Sequence, residues 1–206
     1  MDDATPVIRS VFDCQDDLIS AALKLHFPNG ICADLTFGNG SFWKKNPLPK
    51  YCFDIDPTLE GVTFGDSTSI PLDCDAIFGA CFDPPFLTYI KNARKGASIM
   101  GKRFSGYWAY SELENHYKET LKECRRVLRK KGRLLFKCQD IIHNHSMHPT
   151  HVNVINWAAE NFLKLKDIFI LSAKHRLPNA MSKRPNYTQK HARIFHSYFL
   201  IFEKRK

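Results

Sequence analysis

The chain has 206 residues, of which 44% are hydrophobic and 25% charged, and its formal net charge is +9. This length is typical of a single globular domain with its own core. No apolar run is long enough to cross a bilayer, and the first four residues do not resemble a signal peptide. The positive charge indicates a polyanionic partner, with a merely solvated basic surface as the alternative.

The cysteines indicate a reducing compartment. Seven are present, and none forms a Cys-x-x-Cys pair. Four of them, Cys32, Cys52, Cys81 and Cys138, fall in segments that we predict to be buried strands. Packed thiols of this kind are typical of cytoplasmic proteins, so the sequence predicts neither a disulfide nor a cysteine metal site.

The first predicted elements are a helix and a strand that ends in glycines. Apolar residues at helical spacing predict an amphipathic helix over 15–26, and a strand follows near 31–36. That strand contains Asp34 and is followed by a Gly-x-Gly turn at Gly38 and Gly40. Glycine at such a turn permits positive φ or close approach of a ligand.

A second strand, near 51–55, carries Asp54, which follows Asp34 by 20 residues. A carboxylate at that spacing holds a ribose diol in Rossmann-like sites, and Asp56 is the alternative. The third glycine of a dinucleotide fingerprint is missing. Because Asp34 would place negative charge near a pyrophosphate, the pattern favours a cationic ligand.

Residues 76–82 form an uncharged apolar run that predicts a buried strand. Asp83, Pro84, Pro85 and Phe86 follow it directly. Each proline fixes φ and lacks an N–H donor, so the strand stops and the backbone stiffens. The resulting corner presents a carboxylate, a backbone carbonyl and an aromatic ring, which suits a flat substrate with an amino group. A plain strand end with a solvated Asp83 is the alternative.

A loop over 86–110 is too long for a simple connection. A helix is predicted over 111–131, with Ser111 and Glu114 as a capping box and Gly132 as its C-terminal stop.

The last part of the chain continues the alternation of strands and helices. A strand is predicted over 133–138, a helix over 150–163, and two final strands over 166–173 and 195–203 that pair as a hairpin. Alternation of this kind implies an α/β fold with a mainly parallel sheet whose last strand is antiparallel.

Four histidines fall within nine residues, at His143, His145, His148 and His151. They could ligate zinc, but they lie in a predicted loop without neighbouring cysteines, and a solvated loop is the favoured interpretation.

Basic residues concentrate in two segments with interleaved aromatics, which suits phosphates and unpaired bases. The cations are Lys91, Arg94, Lys95, Lys102 and Arg103, then Lys174, Arg176, Lys183, Arg184, Lys190 and Arg193, and the aromatics are Tyr89, Phe104, Tyr107, Trp108 and Tyr187.

The sequence resembles the S-adenosylmethionine-dependent amino-methyltransferases, which modify the exocyclic nitrogen of adenine or cytosine. The resemblance rests on the glycine motif with Asp34, then Asp54, Asp66 and Asp-Pro-Pro-Phe at 83–86, taken together. The glycine motif precedes the Asp-Pro-Pro-aromatic motif, as in their adenine-modifying branches. The resemblance covers most of the chain. It implies one Rossmann-like class I methyltransferase domain over 1–206, without a separate target-recognition domain.

The resemblance also implies roles for particular residues. Asp34, Gly38 and Gly40 would surround the methionine part of S-adenosylmethionine, Asp54 the ribose and Asp66 the adenine amino group. The full cofactor-binding set is Asp34, Thr36, Gly38, Gly40, Asp54 and Asp66, and the catalytic set is Asp83, Pro84, Pro85 and Phe86. No metal is expected. Residues 12–16 loosely match a segment that closes over the cofactor, with a helix cap by Asp13 or Asp16 as the alternative.

The expected function is methyl transfer from S-adenosylmethionine to a nucleobase amino group, with adenine in DNA placed first. RNA adenine methylation and a non-catalytic nucleic-acid-binding subunit are the alternatives. Nucleic acid would contact the loops 86–110 and 174–193, and a partner chain could supply target recognition. No membrane association is expected.

Overall fold

A computed structural model describes residues 7–88, 106–173 and 188–205, which build one eight-stranded sheet and a small hairpin. The strands are β1 (Val11–Phe12), β2 (Ala33–Asp34), β3 (Tyr51–Asp54), β4 (Thr63–Phe64), β5 (Ile77–Phe82), β6 (Leu128–Cys138), β7 (Ile141–His143), β8 (Ser146–His148), β9 (Leu163–Ser172) and β10 (His196–Lys204), and the helices are α1 (Gln15–His26), α2 (Tyr110–Val127) and α3 (Thr150–Glu160).

The large sheet has the order β1-β9-β10-β6-β5-β2-β3-β4. Its central pairs, from β4 through β6, are parallel, whereas β10 is antiparallel to both β6 and β9. The predicted α/β class and the late antiparallel hairpin are therefore confirmed. The carboxyl ends of β2 to β6 meet at one edge of the sheet, which is where ligands bind in open α/β folds.

Both faces of the sheet are covered, as a parallel sheet requires. Helix α1 buries Leu18, Ile19 and Ala22 on one face, and α2 buries Leu113, Tyr117 and Leu121 on the other. Helix α1 has the predicted bounds, but its N-cap is Cys14 without a side-chain bond, so the alternative cap by Asp13 or Asp16 is wrong.

Helix α2 ends four residues earlier than predicted. Leu128 is already extended, with φ −72° and ψ 133°, because it is fully buried and pairs with Ile77 of β5. Sheet pairing thus overrides the helical pattern, and Gly132 lies within β6 instead of stopping the helix. The predicted capping box is also wrong, because Glu112, not Glu114, accepts a bond from the backbone of Trp108 at 2.9 Å.

Two further local predictions need correction. The histidine-rich segment is not a loop, because β7 and β8 form a hairpin with Asn144 and His145 at positive φ in its turn. Strand β2 is only two residues long, so Cys32 lies just before it and not within a strand. Cys32, and Cys52 within β3, are half-buried and not buried as predicted. All seven cysteines are free thiols.

Within the described ranges, no helix is both long and apolar enough to cross a bilayer.

Candidate functional site

Four carboxylates lie at the carboxyl edge of the sheet. Asp34 and Asp54 are the last residues of β2 and β3, Asp66 comes two residues after β4, and Asp83 follows β5 directly. Because these four strands are parallel neighbours, the topology brings together acids that are up to 49 positions apart in the sequence.

Asp34 is the most deeply buried of these acids, with 1% of its surface exposed. Its two oxygens accept hydrogen bonds from the Thr36 backbone at 2.9 Å and from the Trp43 indole at 2.6 Å. Burial raises the pKa of Asp34 to about 7, against the two hydrogen bonds, which favour the ionised form. The side chain therefore fixes the segment that follows β2, and Trp43 was not anticipated from the sequence.

The glycine turn is held by the next strand. Gly38 and Gly40 have φ of 58° and 71°, values that side chains rarely adopt. The Gly38 backbone N–H donates to Asp54 Oδ2 at 2.8 Å, and Asp54 Oδ1 accepts from the Asp56 backbone at 2.8 Å. A Cβ on Gly40 would lie 3.1 Å from the Phe37 ring. The turn is thus a tight cradle for which only glycine is suited.

Asp66 is exposed and belongs to a polar cluster with α2. Its Oδ1 accepts bonds from the backbone and the hydroxyl of Thr68, at 2.8 and 2.7 Å. Burial alone would raise the pKa of Asp66, but these bonds outweigh it and the net shift is downward. The adjacent Ser67 hydroxyl bonds with His116 at 2.7 Å, and burial lowers the pKa of that imidazole.

The predicted corner is tied to the glycine turn. The Asp83 backbone N–H donates to Thr36 Oγ1 at 2.9 Å, so the first residue of the corner contacts the segment that Asp34 holds. Tyr117 of α2 donates to the Pro85 carbonyl at 3.1 Å, and Phe86 packs partly buried against the core. Sequence reasoning missed Tyr117, which is fully buried.

A lysine that sequence reasoning also missed completes the site. Lys137 Nζ lies 3.0 Å from Asp83 Oδ2 and 3.0 Å from Gln15 Oε1. Its side chain is only 11% exposed. The available signal was a charged residue inside the apolar run of β6.

The two basic segments fall largely outside the described residues. Of the loop 86–110, the structure describes both ends, which approach each other where the Tyr107 backbone donates to the Leu87 carbonyl at 2.9 Å. Of the segment 174–193, it describes 188–193. Among the described residues, no cluster of three His, Cys, Asp or Glu side chains could hold a metal ion.

The chain matches no protein-family model and no curated protein. Among solved structures, a "putative sarcosine dimethylglycine methyltransferase" from Galdieria sulphuraria is 13% identical and has a TM-score of 0.56, over 92% of this chain and 85% of that one. A "putative methyltransferase" from Bacillus halodurans is 12% identical and has a TM-score of 0.53, over 91% and 99%. The predicted class I methyltransferase fold is therefore confirmed.

A "putative DNA modification methylase" from Thermus thermophilus is 16% identical over 69% of this chain and 52% of that one, with a TM-score of 0.47. The chain spans 38 to 54% of the three Thermus structures that it matches.

We predict that the stability of the protein relative to its Asp34→Asn variant falls as pH rises from about 4 to about 7. The folded chain keeps a proton on Asp34 up to about pH 7, whereas the unfolded chain releases it near 3.8. The loss is bounded at about 4 kcal/mol, at ~1.4 kcal/mol per unit. Urea denaturation of both proteins across this range measures it. A difference in stability that does not change with pH would contradict the prediction.

Proposed function

We propose that this chain transfers a methyl group from S-adenosylmethionine to the exocyclic amino group of a nucleobase, with adenine in DNA as the first substrate. The observation that carries the proposal is the arrangement at Asp83. Its backbone is bonded to Thr36 beside the glycine turn, and its Oδ1 accepts no hydrogen bond from the described residues. An acceptor is thus poised next to a cradle of the kind that binds a cofactor.

The residues present fit S-adenosylmethionine. At Gly40 an added Cβ would crowd the Phe37 ring, Asp54 holds the Gly38 backbone from β3, and Asp66 offers an exposed carboxylate one strand further on. We assign the methionine part to Gly38 and Gly40 with Asp34 and Thr36 holding the turn from beneath, the ribose to Asp54 and the adenine amino group to Asp66. When bound, the cofactor supplies a methyl group on a sulfonium, whose carbon–sulfur bond breaks as the new carbon–nitrogen bond forms.

The corner addresses the weak nucleophilicity of the target amine, whose lone pair is delocalised into the ring. Two acceptors that bind its hydrogens favour a tetrahedral nitrogen and release that lone pair. Asp83 Oδ1 is one acceptor and the Pro84 carbonyl is the other, while Tyr117 donates to the carbonyl of Pro85. Phe86 would stack on the base. Positioning and electrostatics then lower the barrier, and the proton that leaves nitrogen is within reach of Asp83.

Delivery of the base is assigned to the basic segments. A base inside a duplex cannot reach the corner, so it must flip out or come from a single strand. Lysines and arginines of 86–110 and 174–193 would neutralise phosphates, and a partner chain could supply target recognition. RNA adenine methylation uses the same corner, so the choice of polymer is left to experiment.

We predict that Asp83→Ala lowers methyl transfer by about a hundredfold or more while S-adenosylmethionine still binds. The matched control is Asp73→Ala, which removes an exposed acid away from this edge. Tritiated methyl transfer onto DNA, RNA and protein, with mass spectrometry of the nucleosides, names the polymer and the base. Unchanged transfer by Asp83→Ala would overturn the mechanism. Cofactor binding without transfer to any polymer would favour the non-catalytic subunit.

We predict that Gly40→Ala weakens S-adenosylmethionine binding much more than Gly30→Ala does. Both glycines have positive φ, at 71° and 72°, so both variants carry a similar backbone strain of about 1–2 kcal/mol. Only at Gly40 does the added Cβ meet a neighbour, the Phe37 ring, whereas nothing lies within 4 Å at Gly30. Calorimetric titration with the cofactor compares the two. Equal losses of affinity would argue against a cofactor cradle at this turn.

A further inference from the structure

Lys137 is a nearly buried cation at the centre of the site. Its Nζ lies 5.6 Å from the centroid of the Phe42 ring and 5.4 Å from that of Phe199, in addition to its bonds with Asp83 and Gln15. Removing an ammonium group from water costs several kcal/mol unless it is paired. The fold therefore retains this nearly buried charge on β6, at a cost that a methionine would avoid.

The two carboxylate oxygens of Asp83 have different surroundings. Oδ2 accepts from Lys137 at 3.0 Å, whereas no described residue donates to Oδ1. Gln15, at the start of α1, accepts from the same Nζ and so directs the ammonium group. A carboxylate fixed at one oxygen has little freedom to rotate, so the direction of the other oxygen is set before a substrate arrives.

We propose that Lys137 is the positioning residue for Asp83, and that it also selects a neutral amine as the substrate. This inference rests on the proposed function, because it assigns Asp83 Oδ1 to the target N–H. Lys137 does not touch the reacting atoms, and its effect on the rate is exerted through Asp83.

The selection follows from charge. An amine bound to Oδ1 would lie within about 5–6 Å of the ammonium group, a distance at which like charges destabilise each other. Because Lys137 offsets part of the charge of Asp83, the pair attracts a cation less strongly than an unpaired carboxylate would. A lysine side chain, which is protonated at neutral pH, is therefore disfavoured, and a neutral exocyclic amine of an aromatic ring is accepted.

The chain contains a matched control. Lys204 on β10 is also nearly buried, with 5% of its side chain exposed, and pairs with Asp75 at 2.6 Å. Lys204 lies at the end of the sheet away from the Asp83 corner. Its neighbour Glu203 pairs with Arg133, whereas Tyr198, at the other end of β10, pairs with Cys138 beside Lys137. Lys204→Met thus tests the loss of a buried lysine away from the corner.

The experiment measures methyl transfer and cofactor binding by the full chain carrying Lys137→Met, Lys137→Gln, Lys137→Arg or Lys204→Met. We expect Lys137→Met and Lys137→Gln to lower kcat by about 10- to 100-fold with S-adenosylmethionine affinity unchanged. Lys137→Arg should restore most of the rate, because it keeps the charge and a donor. Lys204→Met should lower the melting temperature without changing kcat of the folded fraction.

A double-mutant cycle tests whether Lys137 affects kcat through Asp83. If Lys137 acts through Asp83, adding Lys137→Met to Asp83→Asn should change the residual rate by less than about threefold. A full additional loss in that background would overturn the proposal.

Binding gives a readout that does not depend on turnover. We expect the protein to bind a single-stranded deoxyadenosine oligonucleotide more tightly than one of purine deoxynucleosides, which lacks the amino group, and Lys137→Met to abolish that preference. A preference retained in Lys137→Met, or wild-type kcat in this variant, would overturn the role of Lys137. Absence of transfer to any nucleic acid by the wild-type chain would instead overturn the proposed function.

Discussion

The hydrogen bonds that the buried Asp34 side chain accepts from the Thr36 backbone and the Trp43 indole are the interactions on which the rest of the site depends. They fix the backbone of Thr36, whose hydroxyl then accepts the N–H of Asp83. The glycine turn and the proline corner, separated by some forty residues of sequence, are thereby parts of one hydrogen-bonded unit. Burying a carboxyl group costs free energy unless its oxygens are hydrogen-bonded, and both oxygens of Asp34 accept a hydrogen bond.

The same short segment also reaches the opposite side of the site. Phe42, next to Trp43, stacks on Phe199 and lies under the ammonium group of Lys137, which pairs with Asp83. The short 3₁₀ helix Ser41–Trp43 thus contacts both the Asp34 carboxyl group of β2 and the ammonium group of Lys137. A shift of this segment would therefore alter the surroundings of Asp34 and of Lys137 together.

Local patterns were sufficient where the sequence itself contained the cause. Helix α1 was predicted to the residue because its apolar spacing and its Pro28-Asn29-Gly30 stop lie within the segment, and β5 with its proline corner is equally local. The end of α2 was missed because the pairing of Leu128 with Ile77 is made between distant segments. Trp43, Tyr117 and Lys137 escaped notice for the same reason, since each acts on a partner from another element. The roles predicted for Asp34, Asp54 and Asp66 at a cofactor stay predictions.

The hydrogen bond between Leu87 and Tyr107 has a consequence for how such a protein can evolve. Leu87, five residues after β5, and Tyr107, three residues before α2, are joined by this backbone hydrogen bond, and the Tyr107 hydroxyl also bonds to His116 of α2. The free energy of closing a loop rises only with the logarithm of its length. A change in the number of residues between Leu87 and Tyr107 therefore costs little free energy of folding, so the length of this part of the chain can vary while the sheet is kept.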